Sequence, residues 1–211
     1  MIGFIVGRRG QSEADQLLEI IKRRTDGTTP FFTSDDLNQY ENAILKVYGI
    51  KEEVQTTGKR GRPKKPKLVP PPDLKYAKIK KVKENGRVVK VETEVVFGSE
   101  DDVKTTIEQS PVSKHVNNSF VERNNLTMRE GNRRLTRKTL GFSKMKPPLI
   151  SSLTLYFGYY HFVKTHKGLR VEDVGGTNRK WTQRTPMMSA GITDHVWTVE
   201  ELITSRVPIE Y

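Results

Sequence analysis

The sequence predicts an α/β fold, and three observations carry that prediction. Over residues 1–50, apolar runs alternate with amphipathic stretches in the order strand, helix, strand, helix, joined by short polar connections. Asn85-Gly86 lies between two stretches of β-forming residues, which is the strongest short-range hairpin signal. Beyond residue 119 the apolar residues recur at helical spacing.

Each element can be justified in order. Residues 2–7, Ile-Gly-Phe-Ile-Val-Gly, read as a strand too hydrophobic for an exposed sheet edge. A helix is expected from Ser12 to about Arg24, capped by Ser12 with Asp15 three residues on; Ala14, Leu17, Leu18 and Ile21 share one face. The Thr-Asp-Gly-Thr-Thr-Pro run breaks it. Residues 31–34 form a short strand leading into Asp35-Asp36, and Leu37, Tyr40, Ile44 and Val47 mark a second helix that Gly49 stops. Such alternation implies a parallel strand pair.

Residues 56–72 differ in kind, with six Lys or Arg between Lys59 and Lys67 and then three consecutive prolines, so an exposed, extended linker is expected. The hairpin follows as an insert into the α/β domain. Tyr76 and Ile79 lie on one arm, and Val89, Val91 and Val95 alternate on the other. A long basic helix is expected over residues 119–138. Pro147-Pro148 open another, with Leu149, Leu153, Tyr156, Phe157 and Tyr160 as its stripe. The last stretch is rich in Gly, Thr and Arg, anchored by Trp181 and Trp197. The chain thus divides into an α/β core (1–50), a basic Pro-rich linker (51–73), a β-hairpin insert (74–110), C-terminal core helices (111–165) and a tail (166–211).

Charge narrows the function. Lys and Arg number 37 against 25 Asp and Glu, a formal net charge of +12, which points to a polyanionic partner, nucleic acid first. The apolar runs are too short to span a membrane, and Arg8 and Arg9 interrupt the opening run before it can serve as a signal peptide. The chain has no cysteine, which excludes disulfides, thiol catalysis and Cys-based zinc sites. A cytoplasmic, nucleoid-associated location is the expectation.

Two carboxylates stand out. Asp35 falls at the C-terminal end of a short strand, where open α/β sheets place functional groups, although the local pattern by itself favours Asp35 and Asp36 as caps of the next helix. Glu122 opens the basic helix, with Leu126, Arg129 and Arg133 at helical spacing. That face reads as a salt-bridged surface or as a metal ligand beside phosphate-gripping arginines. A strand-end Asp and a helix-borne Glu fit the acid set of a two-metal phosphoryl-transfer site. Lys59, Arg60, Arg62, Lys64 and Lys65 surround a Gly-Arg-Pro core that resembles an AT-hook; the plainer reading is a basic linker making phosphate contacts. The aromatic run from Tyr156 to Phe162 fits a hydrophobic core better than a base-stacking platform.

Several of these segments together resemble transposases of the insertion-sequence-one type (InsB-like). They are Phe4-Ile5-Val6-Gly7-Arg8-Arg9, then Phe32-Thr33-Ser34-Asp35 with Tyr40. The most specific is Ser119-Phe120-Val121-Glu122-Arg123-Asn124-Asn125-Leu126-Thr127-Met128-Arg129, with Arg137-Lys138 and Phe142-Ser143-Lys144 downstream. The tail from Arg184 to Trp197 is similar to the C-terminus of some members. The resemblance implies an RNase H-like catalytic domain with a DDE triad, Asp35 as the second aspartate and Glu122 as the glutamate. It also implies that Arg123, Asn124, Asn125 and Arg129 position DNA; Arg133 and Arg137 of the basic stretch are expected to bind DNA beside them. The implied chemistry is Mg²⁺- or Mn²⁺-dependent cleavage at transposon ends and strand transfer into target DNA, through a two-metal site. In such a fold the first aspartate lies two strands before the strand at residues 2–7. The expectation is therefore a core incomplete at its N-terminus, inactive alone, with DNA and another copy or a full-length transposase as partners. The competing expectation is a non-enzymatic DNA-binding protein or an inhibitor of full-length transposase.

Overall fold

The computed structural model describes residues 3–25, 28–52, 66–111, 113–173 and 180–205, and the chain divides into two compact units, 1–125 and 126–211. It is a mixed α/β protein with a mixed sheet. Among the described residues no helix is long and apolar enough to cross a membrane.

In the first unit, helix α1 (Gln11–Arg23) precedes strand β1 (Phe32–Asp35), helix α2 (Asn38–Tyr48) and a small antiparallel pair, β2 (Ile50–Lys51) with β3 (Leu68–Val69). Strand β4 (Tyr76–Glu84) pairs in parallel with β1 and antiparallel with β5 (Arg87–Phe97), giving the order β1-β4-β5. Helix α3 (Glu100–Gln109) follows. A parallel pair needs a crossover because the chain must return to the same end of the sheet, and α2 lies within it. Ala14 and Leu18 of α1, Ala43, Ile44 and Tyr48 of α2, and Leu74, Tyr76 and Phe97 form the buried core. Phe32 and Tyr48 meet edge-on with ring centroids 5.3 Å apart.

Several expectations are corrected here. Residues 3–9 form no strand; the segment lies along α1, where the Arg8 amide donates to Glu13 Oε1 at 3.0 Å and Gly3 approaches Ile20. Helix α1 is capped by Gly10 rather than Ser12, and Asp15 is buried against Lys46 instead of serving a capping box. The N-cap of α2 is Leu37 with no side-chain cap bond, so neither Asp35 nor Asp36 caps that helix. The hairpin at Asn85-Gly86 forms, but β4 is no mere insert: Tyr76, Ala77, Lys78 and Ile79 are buried because they pair with β1. Only the distal part of the hairpin is exposed on both strands. Helix α3 was not anticipated from the hairpin pattern; Ser99 caps it by accepting from the Asp102 amide.

The basic helix is shorter than expected. Helix α4 (Ser119–Gly131) ends at a glycine, and Asn132 then caps a separate 3-10 turn, Arg133–Leu135. Arg133 therefore leaves the helical stripe that spacing assigned to it, and Arg137 lies beyond the helix that was expected to hold it. The second unit holds α5 (Lys146–Gly158) running into a π-helical turn (Tyr159–Val163), an antiparallel pair β6 (His166–Glu172) and β7 (Trp181–Arg184), and helices α6 (Pro186–Ser189) and α7 (Val199–Thr204). Trp197 packs against Phe162 with centroids 4.4 Å apart, and Trp181 lies under the Arg170 guanidinium at 4.3 Å, so both tryptophans anchor as expected. Within the aromatic run Tyr156 meets both Phe157 and Tyr160, yet none of these rings is fully buried and Tyr159 is exposed, so the run is not the buried core that was expected.

Candidate functional site

Asp35 is the last residue of β1, and its register partner on the parallel strand is Ile79. Two residues further along β4 comes Lys81, on the same face as Ile79 because strand side chains alternate. Lys81 Nζ donates to Glu122 Oε1 at 2.6 Å, and Asn118 Nδ2 donates to the same oxygen at 3.0 Å. The strand-end aspartate thus stands in register with β4, and the glutamate of α4 meets the same strand further along, at Lys81.

Each acid is met by a cation. Arg9 Nη2 donates to Asp35 Oδ2 at 3.2 Å, across a sequence gap of 26 residues. The Lys81 bond holds the Glu122 carboxyl below the usual carboxylate range, with Asn118 adding to the effect. Both carboxylates stay accessible, with side-chain exposures of 51% for Asp35 and 56% for Glu122. Buried polar contacts lie on the Asp35 side. Tyr76 and Ser34 share a 2.7 Å hydroxyl hydrogen bond, and burial pushes the Tyr76 phenol up to about 12. Burial, then the Asp35 charge, also raises the Tyr40 phenol. Lys78 is buried and pairs with Glu41 at 2.9 Å. A cation in that position needs its partner, since water cannot solvate it there.

The remaining candidates are dispersed. Arg123, Asn124 and Asn125 follow Glu122 on α4, Arg123 exposed and the two asparagines half-buried. Arg129, Arg133 and Arg137 are exposed in the second unit. Lys59, Arg60, Arg62, Lys64 and Lys65 lie outside the described residues. Sequence reasoning missed Arg9 and Lys81, whose partners are remote in the chain and whose local patterns read as an ordinary Arg pair and a hairpin lysine.

Carboxylate oxygens are hard donors, and one Mg²⁺ needs only one or two of them besides phosphate and water. Asp35 and Glu122 suit that requirement. They do not complete a two-ion centre: among the described residues no group of three or more His, Asp or Glu is placed to hold a metal ion. No family model matches the chain, and no curated protein or solved structure is found to be similar to it.

Proposed function

We propose that this chain is part of a DDE-type polynucleotidyl transferase of DNA transposition, that its first unit is an RNase H-like core, and that alone it binds DNA without cleaving it. One observation carries the reading: Asp35 at the end of β1 and Glu122 near the start of α4 are accessible carboxylates on separate elements that both meet β4, Asp35 through its register with Ile79 and Glu122 through Lys81. Acids converging from separate elements are what metal-assisted phosphoryl transfer requires. The basic charge and the exposed Arg129, Arg133 and Arg137 support a nucleic-acid substrate, with transposon ends and target DNA as its two forms.

When bound, Mg²⁺ or Mn²⁺ supplies Lewis-acid stabilisation of charge on the transferring phosphate. The part played by the chain is to hold the Asp35 and Glu122 carboxylates in place. Arg9 and Lys81 do this through exposed ion pairs that contribute little stability and so yield readily to a divalent cation. With no third acid placed to share a metal ion with them among the described residues, activity awaits a further carboxylate, which another copy or a full-length transposase would bring. The same cation pairing favours a second reading, a DNA-binding inhibitor of the full-length enzyme, because both acids are already neutralised. Either form belongs with the nucleoid in the cytoplasm.

The test is nicking and strand transfer on end-sequence duplexes with Mg²⁺ or Mn²⁺, for this chain and for Glu122→Gln. The expected result is DNA binding by both proteins and cleavage by neither. Cleavage that disappears in Glu122→Gln would overturn the proposed inactivity and confirm the acid's role. Absence of DNA binding would overturn the whole reading.

A further inference from the structure

Asn132 of the second unit is 5% exposed and caps the 3-10 turn. Its Oδ1 accepts from the Arg134 amide at 3.1 Å and from Ser152 Oγ at 3.2 Å. A backbone N–H can only donate, so the orientation of the side-chain amide is fixed: oxygen toward the turn, Nδ2 away from it. That Nδ2 is buried and has no hydrogen-bond partner in the structure. Buried donors are nearly always satisfied, and one that is not calls for an acceptor from elsewhere.

Asn132 lines a cavity of about 510 Å³, within the range of ligand pockets and too small for a duplex. Two tyrosines form part of its wall. Tyr156 is fixed, its hydroxyl donating to the Thr127 carbonyl at 3.2 Å and its ring lying so close to Gly131 that a Cβ there would come within 2.5 Å. Tyr159 is 43% exposed and opens the π-helical turn, a feature often found at functional sites. Arg133 and Arg134 complete the polar side, and no carboxylate lines the cavity. Neither arginine forms an ion pair among the described residues. Both also border an adjoining hollow of about 570 Å³ that contains Phe142 and Lys144. From Arg133 to Lys146 the chain carries six cations and no acid.

An aromatic wall, a single amide donor and two unpaired guanidiniums describe a receptor for an aromatic ring bearing a carbonyl and a phosphate. We propose that this cavity takes one unpaired nucleotide of a DNA strand. Its base lies against Tyr156 and Tyr159 and accepts from Asn132 Nδ2, and Arg133 and Arg134 hold the adjoining phosphates. The proposal rests on the DNA-binding reading above and adds that binding depends on a base outside the helix.

The experiment compares fluorescence-anisotropy titrations of the full chain with a duplex carrying a single 3′-overhanging thymidine and the same duplex carrying an abasic overhang. The thymidine is expected to tighten binding about tenfold, in keeping with the usual worth of one stacked base. Asn132→Asp keeps the oxygen that caps the turn but replaces the donor with an anionic acceptor. Tyr159→Ala removes an exposed ring. Each is expected to bring the ratio of the two affinities close to one. Equal affinity of the unmodified chain for both duplexes would overturn the nucleotide site and leave DNA binding standing. Thymidine monophosphate competing without any overhang effect would overturn it in favour of a free nucleotide. Loss of binding to every duplex would overturn both readings together.

Discussion

The Asp15 carboxylate is buried on α1 and accepts from Lys46 Nζ at 2.6 Å and Gln11 Nε2 at 2.7 Å. These bonds, Lys46 first, hold its carboxyl below the ordinary value of 3.8. A carboxyl depressed in the folded state binds its proton more weakly there than in the unfolded chain. Its contribution is therefore present in full above the ordinary value and lost as pH falls through the folded one. Urea midpoints are expected to hold between pH 7 and 5 and to drop below about pH 4. Asp15→Asn should flatten the share of that drop which belongs to this group, and an unchanged profile would remove Asp15 from the account. Glu122 is shifted in the same direction, but its pair is exposed and so contributes little. At this scale the sequence showed which residues could ionise, but not their partners: Lys46 lies 31 residues from Asp15, and Lys81 lies 41 from Glu122.

Among the elements, the β4–β5 hairpin is where local chemistry decides most. Asn85 and Gly86 have φ of 50° and 78°, the left-handed conformations that a two-residue turn of this kind requires. Beyond the buried base, Val82, Val88, Val89 and Val91 are all exposed, and the ladder shifts register between Val82 and Lys83. The arm is held by its own hydrogen bonds and by cross-strand pairs such as Lys80–Glu94 at 2.7 Å. Gly86→Ala should cost about 1 kcal/mol, the usual penalty of a Cβ in that region. Hydrogen exchange should quicken at residues 83–88 and stay slow at 76–79; equal acceleration at both would show the arm is not a separate unit. The turn was legible because it is local. That β4 joins the sheet through β1 was not, since parallel pairing joins residues more than forty apart in sequence, as Phe32 with Tyr76. The end of α4 was legible in hindsight: Gly131-Asn132 is a stop signal that the basic run obscured.

For the whole molecule, the +12 net charge sets the character of binding. Each phosphate contact releases counterions, so affinity for duplex DNA should fall at least tenfold between 50 and 200 mM salt, as is usual for several contacts. Replacing Lys59, Arg60, Arg62, Lys64 and Lys65 by alanine should make the log–log salt slope shallower by several units if that segment lies on DNA. An unchanged slope would assign the contacts to the arginines of the second unit, and salt-independent binding would count against a nucleic-acid partner altogether. The division into two compact units cuts α4 between Asn125 and Leu126, separating Glu122 from the arginines that helical spacing had grouped with it.

The sequence by itself determined the α/β character, the helix faces, the hairpin turn and the basic charge, because each depends on residues close in the chain or on composition alone. Tertiary structure decided the rest. It kept the opening apolar run out of the sheet, made β4 a central strand, and gave Asp35 and Glu122 their partners Arg9 and Lys81. It also left the Asn132 amide buried with a donor unspent. These features arise from contacts between distant segments, and spacing along a single chain carries no record of which segments meet.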